Sequence, residues 1–396
     1  MKMIHVFIID DSAVVRQAFT NILNDAPGFN LLGTAANPLI AMRKMQKQWP
    51  DVIILDIEMP QMDGLTFLRK LMNERPTPVV MCSSLTQDGA SVTVQVLSAG
   101  AVDIITKPES GLQDFLYESH RQLLDALRAA SQANLKKLKH NRQLLNRPTP
   151  AQKVTELMPK PVSAVKPGGM SATKKQSRSI KIKAEPKLSA DALLPALAPS
   201  LYPSSMSGRI IGIGASTGGT LALELVLRQL PVDMPGILVV QHMSESFTAA
   251  FAARLNSICA LEIKEAAHMD DVKPGRVLIA PGGQHLLLKY AQGKYFVELK
   301  KGPLINRHRP SVDILFRSIA QTAGAMATGL IMTGMGDDGA RGLKEMHNAG
   351  ATTFAQDEAS CVVFGMPKEA IKLGGVDKVV ALEAVANYLM QERSGV

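Results

Sequence analysis

Apolar residues fall in short unbroken runs, and the stretches between them carry helical spacing; this rhythm covers both ends of the chain but not its middle. Near the start, residues 4–9 (IHVFII) and 52–55 (VIIL) are continuous apolar runs, as expected of strands buried on both faces of a sheet. Weaker runs follow at 79–82 (VVMC) and 102–105 (VDII), and the gaps show 3.6-residue periodicity, as in Ala13–Leu23 and Leu65–Leu71. Strand alternating with helix predicts an α/β unit with a parallel, doubly wound sheet, here of five strands. The second half repeats the grammar with RIIGIG at 209–214, GILVV at 236–240, VLIA at 277–280, GLIM at 329–332 and ATTFA at 351–355. Within it LLLKY and KYFVEL, separated by Ala291-Gln292-Gly293, predict an antiparallel hairpin. No tandem repeat occurs.

The middle breaks the pattern. Between Ser131 and Ser205 the chain is rich in Lys, Pro, Ser and Ala, holds 9 of the 23 prolines, and has almost no aromatic residues. Such a stretch buries too little apolar surface to offset its chain entropy, so it reads as a flexible tether. An amphipathic helix from about Leu112 is expected to run to about Leu135. The resulting division is 1–125, a linker at 126–206, and 207–393.

Composition changes little in this picture. A length of 396 residues suits two domains, and 46% hydrophobic with 20% charged residues is an ordinary globular mixture. The net charge of +9 hints at nucleic acid, but 14 Lys and Arg against 3 Asp and Glu lie between Ser131 and Ser205. The basicity therefore belongs to the linker, and no nucleic-acid partner is expected. Asp10 and Asp11 interrupt the first apolar run, which excludes a signal peptide, and no apolar run reaches membrane-spanning length. Cys82, Cys259 and Cys361 are few, odd in number and far apart, which fits a reducing, cytoplasmic setting.

In a doubly wound sheet, ligands collect where the carboxyl ends of the strands open into a crevice. The first strand run ends in Asp10-Asp11, the third in Asp56, the fourth in Ser83, and the fifth in Thr106-Lys107-Pro108. Carboxylates sharing one crevice repel, and a hard divalent cation such as Mg²⁺ relieves this with oxygen ligands. One carboxylate can then attack a phosphoryl donor while Lys107 and the Ser83 hydroxyl neutralise the transferred oxygens. Each residue alone is an ordinary cap or turn residue. Asp10-Asp11, D-x-E-M-P-x-x-D-G (Asp56–Gly64), Ser83 and Lys107-Pro108 together resemble the response-regulator receiver family over about residues 1–125. The resemblance implies Asp56 as phospho-acceptor and Ser83 and Lys107 as phosphate-sensing residues. It also implies Asp10, Asp11, Asp56 and the Glu58 backbone carbonyl as metal ligands. Where many members have an aromatic residue three before the Lys, this chain has Ile104, so a rotating aromatic switch is not expected there.

The second half opens with a strand feeding G-I-G-A-S-T-G-G and then a helix-forming TLALELVLRQL. Glycines around a Ser at a strand-to-helix turn expose its hydroxyl and let backbone N–H groups approach an oxyanion. A Ser nucleophile needs a base and a group to orient that base. The strand GILVV ends in Gln241-His242-Met243, and GLIM runs into T-G-M-G-D-D-G, which offers Asp337 and Asp338. His268, His285, His308 and His347 compete as bases. A phosphate loop fails because no Gly-Lys-Ser/Thr follows the glycines, and a dinucleotide fingerprint fails because Thr217 stands at its third glycine. A standard α/β-hydrolase would order its set Ser, acid, His, whereas one order open to these residues is Ser216, His242, Asp338.

G-A-S-T-G-G, Q-H-M and T-G-M-G-D-D-G together, with H-R-P-S-V-D (His308–Asp313), look like the chemotaxis protein-glutamate methylesterases over about residues 207–393. The fold implied is a flavodoxin-like receiver followed by a larger Rossmann-like hydrolase domain. The resemblance implies Ser216 as nucleophile, His242 as base, Asp338 as orienting acid in preference to Asp337, and the Met335 backbone N–H in the oxyanion hole, with no cofactor for the esterase. It implies glutamate γ-methyl esters of methyl-accepting chemotaxis receptors as substrates, with glutamine deamidation in some members, and a chemotaxis histidine kinase as phosphodonor. The same chemistry on another signalling protein is the alternative. A transcriptional regulator would need a small helix-turn-helix output in place of this sheet domain.

Overall fold

A computed structural model describes residues 3–83, 95–107, 113–145, 187–197 and 208–391, without the side chains of 113–119. The N-terminal unit is a parallel five-stranded sheet in the order β2-β1-β3-β4-β5. Its strands are β1 (Ile4–Ile9), β2 (Phe29–Ala35), β3 (Val52–Asp56), β4 (Val79–Ser83) and β5 (Asp103–Thr106). Helices α1 (Ala13–Asp25), α2 (Pro38–Met45), α3 (Gly64–Glu74), α4 (95–99) and α5 (Gln113–Gln132) follow successive strands. Polar side chains start the first three: Ser12, Asn37 and Asp63 accept from the backbone N–H groups of Val15, Ile40 and Thr66. Periodicity did not locate β2 by residue, because FNLLGTA lies at the sheet edge with mostly half-buried positions. The register pairs Asp56 with Cys82 and Ser83 with Thr106, which sets the strand ends side by side.

The C-terminal unit is a parallel seven-stranded sheet in the order β14-β13-β12-β6-β7-β9-β8. In chain order these are β6 (Ile210–Ala215), β7 (Gly236–Gln241), β8 (Glu262–Glu265), β9 (Arg276–Ile279), β12 (Ala327–Ile331), β13 (Thr352–Gln356) and β14 (Lys378–Val380). The two outermost, EIKE and KVV, are polar or very short and gave no strand signal. Strands β10 (His285–Ala291) and β11 (Lys294–Lys300) form the expected hairpin as a separate two-stranded sheet. Its turn residues Gln292 and Gly293 both have positive φ, 52° and 78°, as a two-residue turn matching strand twist requires. Around the sheet lie α7 (Gly219–Leu227), α8 (Glu245–Ile258), α9 (Val312–Ala323), α10 (Ala340–Asn348), α11 (Met366–Lys372) and α12 (Leu382–Gln391). The chain leaves β6 toward β7 on one side and has β12 on the other, so the crevice of this sheet opens at the end of β6.

The expectation of a flexible tether between about Ser131 and Ser205 is corrected at both ends. Instead of one helix stopping near Leu135, α5 ends at Gln132 and a second helix, α6 (Leu135–Leu145), follows. Leu138 of α6 is buried, the Arg228 guanidinium donates to the Leu145 carbonyl at 3.0 Å, and His140 meets Glu383 at 3.1 Å. Residues 187–197 lie on the C-terminal unit around a single 3-10 turn, Ala190–Ala192. Apolar positions spaced for one helix face, and one small buried Ala190, suffice for docking where average composition suggested none. The rest of the linker, 146–186 and 198–207, lies outside the described residues.

The two units also pack on each other. Leu221, Val362 and Val363 join the core that contains Leu123 and Leu127 of α5. Phe247 of α8 enters the core that contains Phe67, Val96 and Ile104. The Asn134 N–H donates to the Val362 carbonyl at 2.9 Å.

Candidate functional site

Ser216 follows β6 directly and is half-buried. Its backbone is fixed from three directions: its N–H donates to Thr333 O at 3.0 Å, and its carbonyl accepts from the Gly219 N–H at 2.7 Å and the Gln241 side-chain amide at 2.9 Å. Two glycines are required here. Gly218 caps α7 at φ 77°, and a Cβ on Gly334 would lie 2.6 Å from the Ser216 Cβ and 2.4 Å from the Met366 sulfur. The Ser216 turn approaches Gly334 this closely because Gly334 has no side chain.

His242 leaves β7, and its N–H donates to the Ala215 carbonyl at 3.0 Å, so it sits beside the Ser216 turn. Its ring Nε2 is 2.9 Å from Asp338 Oδ2. Asp338 is buried and accepts four further bonds: from Ser311 Oγ (2.7 Å), Asn306 Nδ2 (2.9 Å), and the backbone N–H groups of Val312 (2.7 Å) and Asp313 (3.2 Å). The last two open α9, so a helix N-terminus points at this carboxylate. Burial works against the charge on Asp338, but the hydrogen bond and charge of His242, with the hydrogen bond of Asn306, hold the carboxyl well below its ordinary range. An ionised acid on Nε2 leaves Nδ1 as the basic nitrogen of His242. That Nδ1 is buried and makes no hydrogen bond among the described residues, to the Ser216 hydroxyl included.

His308 stacks flat on His242, with ring centroids 3.7 Å apart and planes within 7°. Burial first, and the neighbouring His242 charge second, push its pKa down, so it lies on the imidazole as a neutral plate. The other rival histidines are elsewhere. His285 is tied to Pro303 O at 2.9 Å and accepts from the Ser311 N–H, His268 accepts from the Leu299 N–H, and His347 pairs with Asp377 at 3.0 Å. Asp337 turns away from the imidazole and pairs with Lys187. Met335 lines the same cavity as Ser216 and His242.

Sequence reasoning missed Asn306, Ser311 and Asp313 as supports of this acid. Asp313 accepts from the Gly342 N–H at 2.7 Å and from the Asn306 amide, and burial together with the Asp338 charge pushes its pKa up. The H-R-P-S-V-D motif contained Ser311 and Asp313, but nothing in its spacing indicated what they would bond. Asn306 carried no signal at all.

The N-terminal crevice also assembles. Asp10 and Asp56 are both buried, and the Lys107 ammonium reaches Asp56 Oδ2 at 2.7 Å and Asp10 Oδ2 at 3.2 Å. Asp11 is exposed, and oxygens of Asp10, Asp11 and Asp56 lie within 4.8 Å of one another. The Glu58 N–H donates to Asp56 Oδ1 at 3.3 Å, and Lys107 N–H to the carbonyl of the buried Ser83 at 2.8 Å. Burial, then the Asp10 charge, push the Asp56 pKa up to about 6 against the pull of Lys107. Three carboxylates facing one ammonium, with oxygen donors only, fit a hard divalent cation.

A cavity of about 160 Å³ separates the two units at Ser216. One wall carries Ser216, His242 and Met335; the opposite wall carries Asp103, Ile104, Arg121 and Asp125 of the N-terminal unit.

Comparison with known proteins gives a consistent result. Residues 211–389 match the family described as CheB methylesterase, and residues 6–115 match the response regulator receiver domain. Protein-glutamate methylesterase/protein-glutamine glutaminase 1 of Xanthomonas oryzae pv. oryzae is 53% identical, over 97% of this chain and 99% of its own. Protein-glutamate methylesterase/protein-glutamine glutaminase 3 of Shewanella oneidensis is 53% identical, over 98% of this chain and 99% of its own. The crystal structure of the Thermotoga maritima CheB methylesterase catalytic domain is 42% identical, covers 47% of this chain and 99% of that one, and has a TM-score of 0.46.

Proposed function

The chain belongs to the protein-glutamate methylesterase/protein-glutamine glutaminase family, and from that premise we propose that it hydrolyses glutamate γ-methyl esters of chemoreceptors under control of phosphorylation at Asp56. The observation that carries the esterase reading is the bond between His242 and a buried, five-times hydrogen-bonded Asp338, with His242 on the same cavity wall as Ser216. In this reading residues 1–125 are the receiver, 207–393 the catalytic domain, and the protein works in the cytoplasm; no helix among the described residues is long and apolar enough to cross a membrane.

Ser216 Oγ attacks the ester carbonyl as its proton passes to His242 Nδ1, and the oxyanion forms against the Met335 backbone N–H. His242⁺ then gives the proton to departing methanol. Water repeats the sequence on the acyl-enzyme, releasing the glutamate carboxylate and restoring Ser216. Asp338 stays ionised throughout and holds the proton on Nε2. A glutamine side chain would follow the same route with ammonia leaving.

In the receiver, Asp10, Asp11, Asp56 and the Glu58 carbonyl would hold Mg²⁺, which supplies charge neutralisation for phosphoryl transfer. Asp56 accepts the phosphoryl group from a chemotaxis histidine kinase, and Lys107 and Ser83 then meet its oxygens. Strand β5 is four residues long and joins Lys107 to the Asp103–Ile105 wall of the cavity, so a change at the acidic crevice has a short route to the cover over Ser216. A shift of a few kcal/mol in that domain–domain equilibrium is enough to regulate access.

The test is methanol release from methylated chemoreceptor membranes, with and without a small phosphodonor and Mg²⁺. Release should rise with the donor in the native protein, fail to rise in Asp56→Ala, and vanish in Ser216→Ala. No release from folded native protein under any condition would remove the receptor ester as substrate.

A further inference from the structure

The turn at 305–308 has an unusual construction. Asn306 and Arg307 are consecutive non-glycine residues in the left-handed region, at φ 49° and 72°, a conformation that persists only when its surroundings enforce it. Ile305 and His308 exchange backbone hydrogen bonds of 3.1 and 2.8 Å across the turn. The Asn306 N–H is held from outside, donating at 2.8 Å to the carbonyl of Leu188. Leu188 belongs to the strap at 187–197, which is fastened by buried Ala190 against Leu287, Ile305 and Ile314. Arg317 fastens it further, donating at 2.7 Å to both Asp191 and the Leu194 carbonyl.

What the strap holds in place is one edge of the reaction cavity. Asn306 supports Asp338, His308 stacks on His242, and Arg307 between them points outward, exposed and without an ion pair among the described residues. The fixed charges on this side of the cavity are Lys187, Arg307 and Arg309 against Asp337 alone. On the facing receiver wall stand Asp103 and Asp125 with Arg121, and Asp125 also pairs with Arg128 at 2.9 Å. The catalytic wall is net positive, and two receiver carboxylates are set against it.

We propose that Arg307, presented by the strap-held turn and flanked by Lys187, selects an acidic segment of the substrate protein beside the scissile ester. The receiver's Asp103 and Asp125 face this rim in the closed protein, at the place where substrate carboxylates would lie. This inference rests on the esterase reading and adds the class of sequence that the same site takes. Arg307 is a specificity residue; it has no part in proton transfer.

The experiment uses the full chain, with phosphodonor and Mg²⁺, on two synthetic peptides in one reaction. Each carries one glutamate γ-methyl ester, flanked by glutamates in one peptide and by glutamines in the other, and both products are followed by mass spectrometry. Competition in one tube reports the ratio of kcat/KM, so any change in domain opening cancels. The native protein should favour the acidic peptide about threefold at low salt, the scale of one exposed ion pair, and lose that preference at high salt. Arg307→Gln should bring the ratio to near one, and Arg307→Lys should restore most of it. Ala190→Asp, with detachment of the strap read as tryptic cleavage after Lys187, should lower the ratio as well. Equal use of both peptides by the native protein, or an unchanged ratio in Arg307→Gln, overturns the proposal and leaves the esterase intact. A detached strap with an unchanged ratio removes the strap from it. Hydrolysis of neither peptide by native protein would instead overturn the esterase reading on which it depends.

Discussion

At the scale of residues, the C-terminal site is organised around one carboxylate. Asp338 collects five donors, two of them from the first turn of α9, and this over-supply is what keeps a buried acid ionised. Asp337, the residue before it, is half exposed and pairs with the Lys187 ammonium. A single position in the turn thus separates a buried carboxylate on His242 from a surface ion pair. Asp338→Asn preserves the shape but lets the amide present an N–H to Nε2, which favours the wrong tautomer of His242. Esterase kcat is expected to fall on the order of 10³- to 10⁴-fold with little change in KM, measured by single-substrate kinetics. Asp337→Asn, by the same assay, should keep kcat within about threefold, since an exposed ion pair contributes little.

At the scale of elements, helices that begin at strand ends do most of the positioning. Helix α7 starts at Gly218 beside Ser216, and α9 starts on Asp338. Helix α8 starts just after His242 and serves the contact between the units instead, because its Phe247 is buried among Phe67, Val96 and Ile104 of the receiver. An aromatic anchor of this size inside a partner's core is the kind of residue that dominates an interface. Phe247→Ala removes about 3 kcal/mol of packing, which is more than a hundredfold in the closed-to-open ratio. Esterase activity without phosphodonor should therefore rise, and the further stimulation by phosphodonor should shrink. Unchanged basal activity would show that Phe247 does not hold the cover shut.

At the scale of the whole molecule, two parallel sheets face each other through the carboxyl-end region of one and the β5–α5 side of the other, with the cavity at Ser216 between them. The described parts of the strongly basic segment between them, helix α6 and the strap at 187–197, both rest on the catalytic unit. Removing residues 1–186, which takes away the receiver and spares the strap, should raise esterase activity toward a soluble peptide ester and abolish its response to phosphodonor. Activity no higher than that of the unphosphorylated full chain would count against inhibition by the receiver.

The sequence by itself determined the two α/β units, the hairpin, and which residue types stand at the strand ends. Buried parallel strands must be written as apolar runs, and chemistry at their tips must be written directly after them; both are local signals. It counted β2 without locating it and was silent on β8 and β14, because these edge strands are half-solvated or very short and have no continuous run to display. Only the tertiary structure decided which of two adjacent aspartates meets His242, since that bond joins residues 96 positions apart. It alone brought in Asn306, Ser311 and the Leu188 carbonyl, whose roles come from hydrogen bonds made across the fold, and such bonds leave no periodicity in the chain. It alone set a receiver wall over Ser216, because packing between two bodies depends on the shape and charge of finished surfaces rather than on any one segment.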